Sequence, residues 1–250
     1  MRRFWANEQG IRDGLATLSA EDAAHALRVL RMGPGDACEL LHEGCRYAAE
    51  IASAEGGRVT LRVLSVLPTT EARLRLTLFQ GLPKGDKMEW IVQKATELGA
   101  AEVVPVQMSR SVVKLSPQDG RKKQERWQKI AREASKQSGR CSEMRVAPPC
   151  TWTEALGRIS GFACALVPWE EDRSRSIRQL WQADPEMREA AVLIGPEGGI
   201  SAEEISALKA VGAVPVSLGP RILRTETAGL ATLSAMLCLW GDMEPPEDRA

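Results

Sequence analysis

The first 70 residues alternate apolar and polar side chains over short stretches, which is the pattern of half-buried β-strands separated by glycine-bearing turns. Ser19 is a suitable N-cap for a helix over residues 20–30, where apolar residues recur with helical spacing. The pattern therefore predicts a small β-barrel with one helix for residues 1–70, with strands over residues 37–42, 46–54 and 58–67.

Beyond the turn-forming segment at residues 68–70, apolar runs of strand length alternate with segments of helical period. In residues 86–98, for example, apolar side chains recur on one face of a helix. Such alternation indicates βαβ units and a mainly parallel sheet. We therefore predict an α/β domain over residues 71–250, with strands at 75–82, 101–108 and 162–169 and helices at 86–98, 121–137, 151–159 and near 175–183.

Two further strands are each followed directly by a glycine-bearing loop and a helix. The apolar strand Ala191–Ile194 precedes three glycines within residues 195–199, and Ser201 with Glu204 forms a capping box that starts a helix. In open α/β sheets such loops lie at the carboxyl edge, where ligands bind. The pattern continues with a helix end at Gly212, a strand at 214–218, a loop at 219–227 and an apolar helix at 228–240.

The chemistry of these loops limits the ligand. Neither a phosphate-binding G-x-x-x-x-G-K-[ST] motif nor G-x-G-x-x-G is present there, and the carboxylate of Glu197 would repel a phosphate. A ligand with a positive charge and an adenine-like face, held by backbone groups, fits better. From the glycine content alone, two tight turns without a ligand remain an equal alternative.

Charge is distributed unevenly along a chain of zero formal net charge. Residues 71–150 carry 16 Lys and Arg against 9 Asp and Glu, whereas residues 151–250 carry 9 against 15. The basic excess is concentrated in the predicted helix at 121–137, and it indicates either an RNA-binding face or a solvated helix surface.

Cysteine and histidine usage argues against a metal centre or a disulfide framework. The six cysteines are scattered without a C-x-x-C pair, and there are two histidines, so reduced thiols in a cytoplasmic protein are the simpler explanation. The N-terminus has no signal-peptide pattern. The apolar helix at 228–240 is too short to span a bilayer. We therefore predict no metal and no membrane.

Two long motifs in fixed order, IGPEGGIS with a following Glu, and LGPRILRTETA, resemble the cofactor loops of a known enzyme family. They are similar to the RsmE family of the SPOUT superfamily, whose members are S-adenosylmethionine-dependent methyltransferases acting on N3 of a uridine in 16S ribosomal RNA. The resemblance extends over nearly the whole chain through HALRVLRMGPGD (25–36), LTLFQGLPKGDKMEWIVQKATELGA (76–100), SRSVVK (109–114) and ERWQKIAREASKQSGR (125–140).

The resemblance implies a PUA-like RNA-binding barrel followed by a SPOUT domain with a C-terminal trefoil knot, assembled as a homodimer through the last helix. It implies that S-adenosylmethionine contacts three loops, at Leu166, Val167, Pro168, Gly195, Pro196, Glu197, Gly198, Gly199, Ile200, Leu218, Gly219, Ile222, Leu223, Thr225, Thr227 and Ala228. RNA contacts are expected from Arg2, Arg3, Arg28, Arg31, Lys84, Arg110, Lys122, Lys123, Arg126 and Arg140.

Methylation at uridine N3 needs a group that removes or accommodates the N3 proton and a group that stabilises the resulting anion. Glu226 is the candidate for the proton or for cofactor binding, and Arg221 or Arg224 for the anion. An ion pair that shapes the loop is the alternative role. A non-catalytic RNA-binding module and a nucleotide-phosphate enzyme are the alternative functions, opposed by the intact cofactor motifs and by the missing phosphate-loop fingerprints.

Overall fold

The computed structural model describes residues 2–172, 174–241 and 243, which form two compact units. The first unit contains the residues up to Glu71 together with Ser135–Glu143. The second contains Ala72–Ala134 and the residues from Met144 onward. A nine-residue segment from the later chain thus packs in the N-terminal unit, which the sequence prediction of domains at 1–70 and 71–250 did not anticipate.

The first unit is a closed five-stranded barrel with strand order β1-β2-β5-β4-β3. Parallel pairing of β1 with β3 closes it, and its core contains Phe4, Leu40, Ile51 and Leu61. The predicted small barrel is confirmed. The strands are β1 (Arg3–Arg12), β2 (Leu15–Leu18), β3 (Ala37–His42), β4 (Cys45–Glu55) and β5 (Arg58–Leu67).

A short helix lies between β2 and β3. The side chain of Ser19 accepts a hydrogen bond from the backbone N–H of Asp22, so the predicted N-cap of helix α1 (Ala20–Ala24) is confirmed. The remainder of the predicted helix is a π-helical turn, His25–Val29, in which the N–H of Leu30 donates to the carbonyl of His25. This turn leaves Arg28 exposed.

The segment Ser135–Glu143 is held by a network around Glu71. The Arg140 guanidinium donates to Oε2 of Glu71 at 2.6 Å, and the backbone N–H groups of Cys141 and Ser142 donate to Oε1 at 2.7 and 2.8 Å. Because the side chain of Arg140 is 7% exposed, this ion pair is largely removed from solvent and fixes the segment in place.

The second unit contains a seven-stranded sheet of order β12-β10-β11-β6-β7-β8, with β9 also paired to β7. Every pairing is parallel, which confirms the predicted α/β architecture. Its strands are β6 (Arg75–Gly81), β7 (Glu102–Gln107), β8 (Arg145–Val146), β9 (Cys150–Thr151), β10 (Ala165–Pro168), β11 (Glu189–Ile194) and β12 (Val214–Val216).

Helices cover both faces of this sheet, each with its own apolar core. The helices are α2 (Lys87–Leu98), α3 (Pro117–Ser138), α4 (Trp152–Ile159), α5 (Ile177–Ala183), α6 (Ala202–Ala210) and α7 (Thr225–Leu239). Buried residues of α2 and α7, such as Ile91 and Leu237, join one core, and those of α4 and α6, such as Ile159 and Ile205, join the other.

Several boundaries differ from the sequence prediction. Helix α3 begins at Pro117 instead of residue 121, and α7 begins at Thr225, so it includes three residues that were predicted as loop. The two-residue strands β8 and β9 were not predicted. The capping box of Ser201 and Glu204 is confirmed, and Gly212 follows the end of α6 with φ +87.

Candidate active site

The carboxyl ends of adjacent strands β10, β11 and β12 border one cavity of about 400 Å³ and an adjoining one of about 260 Å³. The larger cavity is lined by Lys87, Pro168, Glu170, Ile194, Gly195, Pro196, Glu197, Gly198, Gly199, Ile200, Ile222, Leu223, Arg224, Thr225 and Ala228. The adjoining cavity shares five of these residues and adds Trp169, Ser217, Leu218, Gly219, Pro220 and Arg221.

The first loop, residues 195–200, is compact because its glycines have no side chains. A Cβ at Gly195 would lie 2.8 Å from Ile200 Cγ1, and Gly199 has a φ of +73, which L side chains rarely adopt. The Arg110 guanidinium donates to the carbonyl of Gly198 at 3.0 Å. The loop is therefore closely packed, and its residues line the cavity.

A buried polar link joins the first loop to the start of helix α7. The Thr225 hydroxyl, at the start of α7, donates to the carbonyl of Gly195 at 2.6 Å. The hydroxyl oxygen of Thr225 also accepts a hydrogen bond from Nε2 of Gln80 at 2.8 Å, and Gln80 is fully buried at the end of β6. Strand β6, the first loop and helix α7 thus share hydrogen bonds to one hydroxyl group.

Lys87, at the start of α2, lies between two carboxylates. Its Nζ is 2.9 Å from Oε1 of Glu197 and 3.3 Å from Oε2 of Glu226. The hydrogen bond that Lys87 donates to the carboxylate of Glu197 raises the pKa of Lys87. Burial acts to raise the pKa of Glu197, but hydrogen bonds from Lys87 and from backbone N–H groups, including that of Lys84, outweigh it, so this pKa is lowered. Both groups are therefore charged at neutral pH.

Most of the predicted cofactor residues line these cavities, but three do not. Leu166 and Val167 are fully buried and pack into opposite cores of the sheet, since successive residues of β10 point to opposite faces. Thr227 is an exposed residue of α7 outside both linings.

The predicted catalytic residues occupy different positions around the site. Arg224 lines the larger cavity and Arg221 the adjoining one, and both are exposed. Glu226 lies outside both linings, next to Lys87. The alternative role considered from sequence was an ion pair between Glu226 and one of these arginines. In the structure Glu226 contacts Lys87 instead.

Two of the predicted RNA contacts already have carboxylate partners in the structure. Arg140 is buried against Glu71, so its guanidinium is not available to a phosphate. Arg3 donates to the buried carboxylate of Glu39 at 2.6 Å, which gives it a structural partner within the barrel. The other eight predicted residues are exposed: Arg2, Arg28, Arg31, Lys84, Arg110, Lys122, Lys123 and Arg126.

Three residues important to the site were not singled out from sequence: Gln80, Gly81 and Lys87. They lie at the end of β6 and the start of α2, within the stretch 76–100, where only Lys84 was predicted from sequence as a site residue. Their position at the carboxyl end of a central parallel strand was the available signal, because that is where ligand sites form in such sheets.

Other site classes receive no support within the described ranges. There is no group of three His, Cys, Asp or Glu side chains arranged to hold a metal ion among residues 2–172, 174–241 and 243. Burial raises the pKa of the Cys38 and Cys150 thiols to about 11, so neither is a ready thiolate nucleophile. None of the helices in the described part of the chain has the length and apolar character needed to cross a membrane.

Comparison with known proteins agrees with this architecture. Residues 70–237 match the model of an RNA methyltransferase domain, and residues 18–64 match that of an RNA methyltransferase PUA domain. Ribosomal RNA small subunit methyltransferase E of Bacillus subtilis is 37% identical over 228 residues, covering 88% of each chain. The chain belongs to the ribosomal RNA small subunit methyltransferase E family.

Another member of this family, from Mycobacterium bovis, is 31% identical over 231 residues, covering 89% of this chain and 86% of the relative. The crystal structure of the Neisseria gonorrhoeae member, bound to S-adenosyl methionine, has a TM-score of 0.83 at 32% identity and covers 98% of this chain and 100% of its own. The chain is thus an RNA methyltransferase with a SPOUT-type sheet preceded by a PUA-like barrel.

Proposed function

We propose that the protein transfers a methyl group from S-adenosylmethionine to N3 of a specific uridine in 16S ribosomal RNA of the small ribosomal subunit. The observation that carries this proposal is the cavity lined by the two glycine-bearing loops, where the Thr225 hydroxyl links the first loop to the start of helix α7. Family membership and the cofactor bound to the Neisseria gonorrhoeae relative support the choice of ligand and substrate.

The residues present fit this cofactor. The combined cavities, about 400 and 260 Å³, are of the size that holds a drug-sized ligand. Exposed backbone of the glycine-bearing loop supplies hydrogen-bonding groups, and Ile222, Leu223 and Ala228 supply apolar contacts for an adenine. Lys87 with Glu197 and Glu226 carries a net negative charge, which suits a sulfonium and opposes a phosphate.

The cofactor supplies an electrophilic methyl group, and the chain must supply position and charge. We propose that the loop residues at 195–200 and 218–225 hold the cofactor, while Arg221 or Arg224 stabilises negative charge on the uridine oxygens. Glu226 accepts the N3 proton at its carboxylate or helps bind the cofactor. Family resemblance is the ground for N3 of uridine as the reacting atom.

Replacing Glu226 by Gln tests the proton role. The variant should transfer methyl more slowly at neutral pH, and its defect should shrink as pH rises, because more of the uridine is then already ionised. Single-turnover rates on small subunits from pH 7 to pH 10 measure this. A defect of the same size at every pH would assign Glu226 to cofactor binding or to loop structure.

We propose that RNA contacts the basic surface of helix α3, formed by the exposed Lys122, Lys123 and Arg126, and the exposed Arg28 and Arg31 of the barrel. Arg126 also pairs with Glu89 at 2.8 Å, so part of its charge is already compensated. Lys84 and Arg110, which flank the first loop by their contacts with Glu197 and Gly198, are proposed to meet RNA near the reacting nucleotide.

Neutralising Lys122 and Lys123 to Gln should weaken RNA binding and reduce the slope of log K against log salt by about 1.4–1.8, the contribution of two phosphate contacts. Binding measured by fluorescence anisotropy across a salt series gives this slope. Arg178→Gln, an exposed change on α5, serves as the control and should leave the slope unchanged. If the unmodified protein and both variants had the same salt slope, the basic face of α3 would be a solvated surface that does not contact RNA.

We propose that the protein is a cytoplasmic homodimer whose C-terminal elements form a trefoil knot. The partly exposed strip of α7, which includes Leu230, Ala231 and Ser234, is proposed as the dimer face. Leu237 is fully buried in the core, so it does not contribute to that face. Sedimentation velocity of the purified protein tests the assembly, and a monomer at micromolar concentration would contradict it.

The proposed reaction has a direct assay. Small subunits from a strain that lacks this modification are incubated with the protein and methyl-labelled cofactor, and the site is mapped by reverse transcription. Methylation at N3 blocks Watson–Crick pairing, so transcription should stop at one uridine. Labelling without such a stop would indicate a different methylated atom, and no labelling of either subunits or naked RNA would contradict the proposal.

A further inference from the structure

Three charged side chains form a cluster at the edge of the larger cavity. Lys87 Nζ contacts Glu197 at 2.9 Å and Glu226 at 3.3 Å, and the three side chains are 34%, 28% and 17% exposed. Glu197 also accepts a hydrogen bond from the backbone N–H of Lys84 at 3.1 Å. Two carboxylates thus share one ammonium group, and the cluster has a net charge of −1.

The remaining charges of the cavity do not compensate this one. Glu170 and Arg224 line the larger cavity and Arg221 lines the adjoining one, but all three side chains are exposed to solvent. Exposed charges are screened strongly, whereas partly buried ones are screened less. The local potential at this end of the cavity is therefore set mainly by the cluster of Lys87, Glu197 and Glu226.

The charge of a methyl donor changes during transfer. When the methyl group forms its new bond to nitrogen, the electron pair of the broken S–CH₃ bond stays on sulfur, and the cationic sulfonium becomes a neutral thioether. The N3 proton leaves to a base. A cavity of negative potential therefore binds the donor more tightly than the product, by an amount that depends on the charge of the cluster.

We propose that Lys87 is a specificity-determining residue whose positive charge sets the preference of the cavity for the sulfonium donor over the thioether product. This inference rests on the proposed function. The charge of Lys87 compensates one of the two carboxylates. The preference for the donor over the product is therefore that of a single net negative charge and not of two. The alternative is that Lys87 only fastens helix α2 to the loops, in which case it affects both ligands equally.

A series of variants with graded charge separates these roles. Lys87→Met leaves the cluster at −2, Lys87→Arg keeps −1, and Glu197→Gln brings it to 0. Affinities for S-adenosylmethionine and S-adenosylhomocysteine are measured by calorimetry at pH 8. The ratio of the product Kd to the donor Kd should rise about fivefold in Lys87→Met and fall about fivefold in Glu197→Gln, the scale of one partly screened charge.

Two controls fix the interpretation. Lys94 forms an ion pair with Glu97 on the same helix away from the cavity, so Lys94→Met should leave the ratio unchanged. Sinefungin carries an ammonium in place of the sulfonium, so its affinity should follow that of the donor across the series.

The outcomes are distinct. A ratio that stays constant in all variants, even where both affinities fall, would overturn the proposal and leave Lys87 a structural residue. If Lys87→Met does not fold, the other two variants still test the proposal. The ratio of the product Kd to the donor Kd should fall in Glu197→Gln and stay unchanged in Lys87→Arg. If the unmodified protein binds neither S-adenosylmethionine nor S-adenosylhomocysteine, the proposed function fails instead.

Discussion

Gly81→Ala should abolish methyl transfer and weaken cofactor binding at least tenfold, about 1.4 kcal/mol or more. A Cβ at this position would lie 2.6 Å from both Cδ and N of Pro196 and 2.9 Å from Sδ of Met108. The methionine side chain is able to move, but the Pro196 backbone belongs to the first loop. One methyl group at the end of β6 therefore displaces the loop that borders the cavity, with an overpacking cost of about 1–3 kcal/mol.

Gly229→Ala is the matched control for this change. Gly229 lies in α7, where an added Cβ would meet Gln80, Ile194 and Leu78 at 3.5–3.6 Å, which is ordinary van der Waals contact. Alanine also has a higher helix propensity than glycine, so this variant should keep its stability and cofactor affinity. Calorimetric titration and thermal unfolding of both variants measure the difference. Normal cofactor binding by Gly81→Ala would show that the first loop tolerates displacement.

The sequence predicted the elements that obey local rules. Ser19 and the Ser201–Glu204 pair are capping residues whose hydrogen bonds are made within three residues, so their pattern is legible without tertiary information. The parallel sheet was predicted because the alternation of strands and helices is also visible in the local pattern of apolar residues. The position of the candidate cavity followed from topology, because loops after adjacent parallel strands meet at one edge.

Features that depend on long-range packing were not predictable in this way. Strands β8 and β9 have two residues each, too few for a periodic pattern. They form because both pair with the edge of β7. Arg140 follows a basic helix in sequence, and composition alone assigns it to a basic surface. Its pairing with Glu71, 69 residues away, is visible only in the folded chain.

The candidate site shows the same division. The glycines of the first loop were found because their residue type is informative by itself. Lys87 was not, because a lysine on an amphipathic helix is ordinarily a solvated charge. It acquires its role from Glu197 and Glu226, which belong to the first loop and to helix α7 and lie more than 100 residues away along the chain.

Thr225→Val should lower cofactor affinity at least tenfold and the free energy of unfolding by about 1–3 kcal/mol. Valine has nearly the shape of threonine, so the change removes a hydroxyl and little volume. It leaves the Gly195 carbonyl without its donor and Nε2 of Gln80 with one acceptor, the Gly81 carbonyl at 3.0 Å. Because these groups are partly or fully buried, water does not replace the lost bonds without cost.

Thr232→Val separates the linking role from the general cost of losing a buried hydroxyl. Thr232 is fully buried two turns further along α7, and its hydroxyl donates to the carbonyl of Ala228 in the same helix. That hydroxyl contacts neither loop, so its removal should alter stability while leaving cofactor affinity near that of the unmodified protein. Calorimetry and thermal unfolding on both variants give the two quantities. Equal losses of affinity in the two variants would mean that the Thr225 hydroxyl stabilises the helix and does not hold the first loop at the cavity.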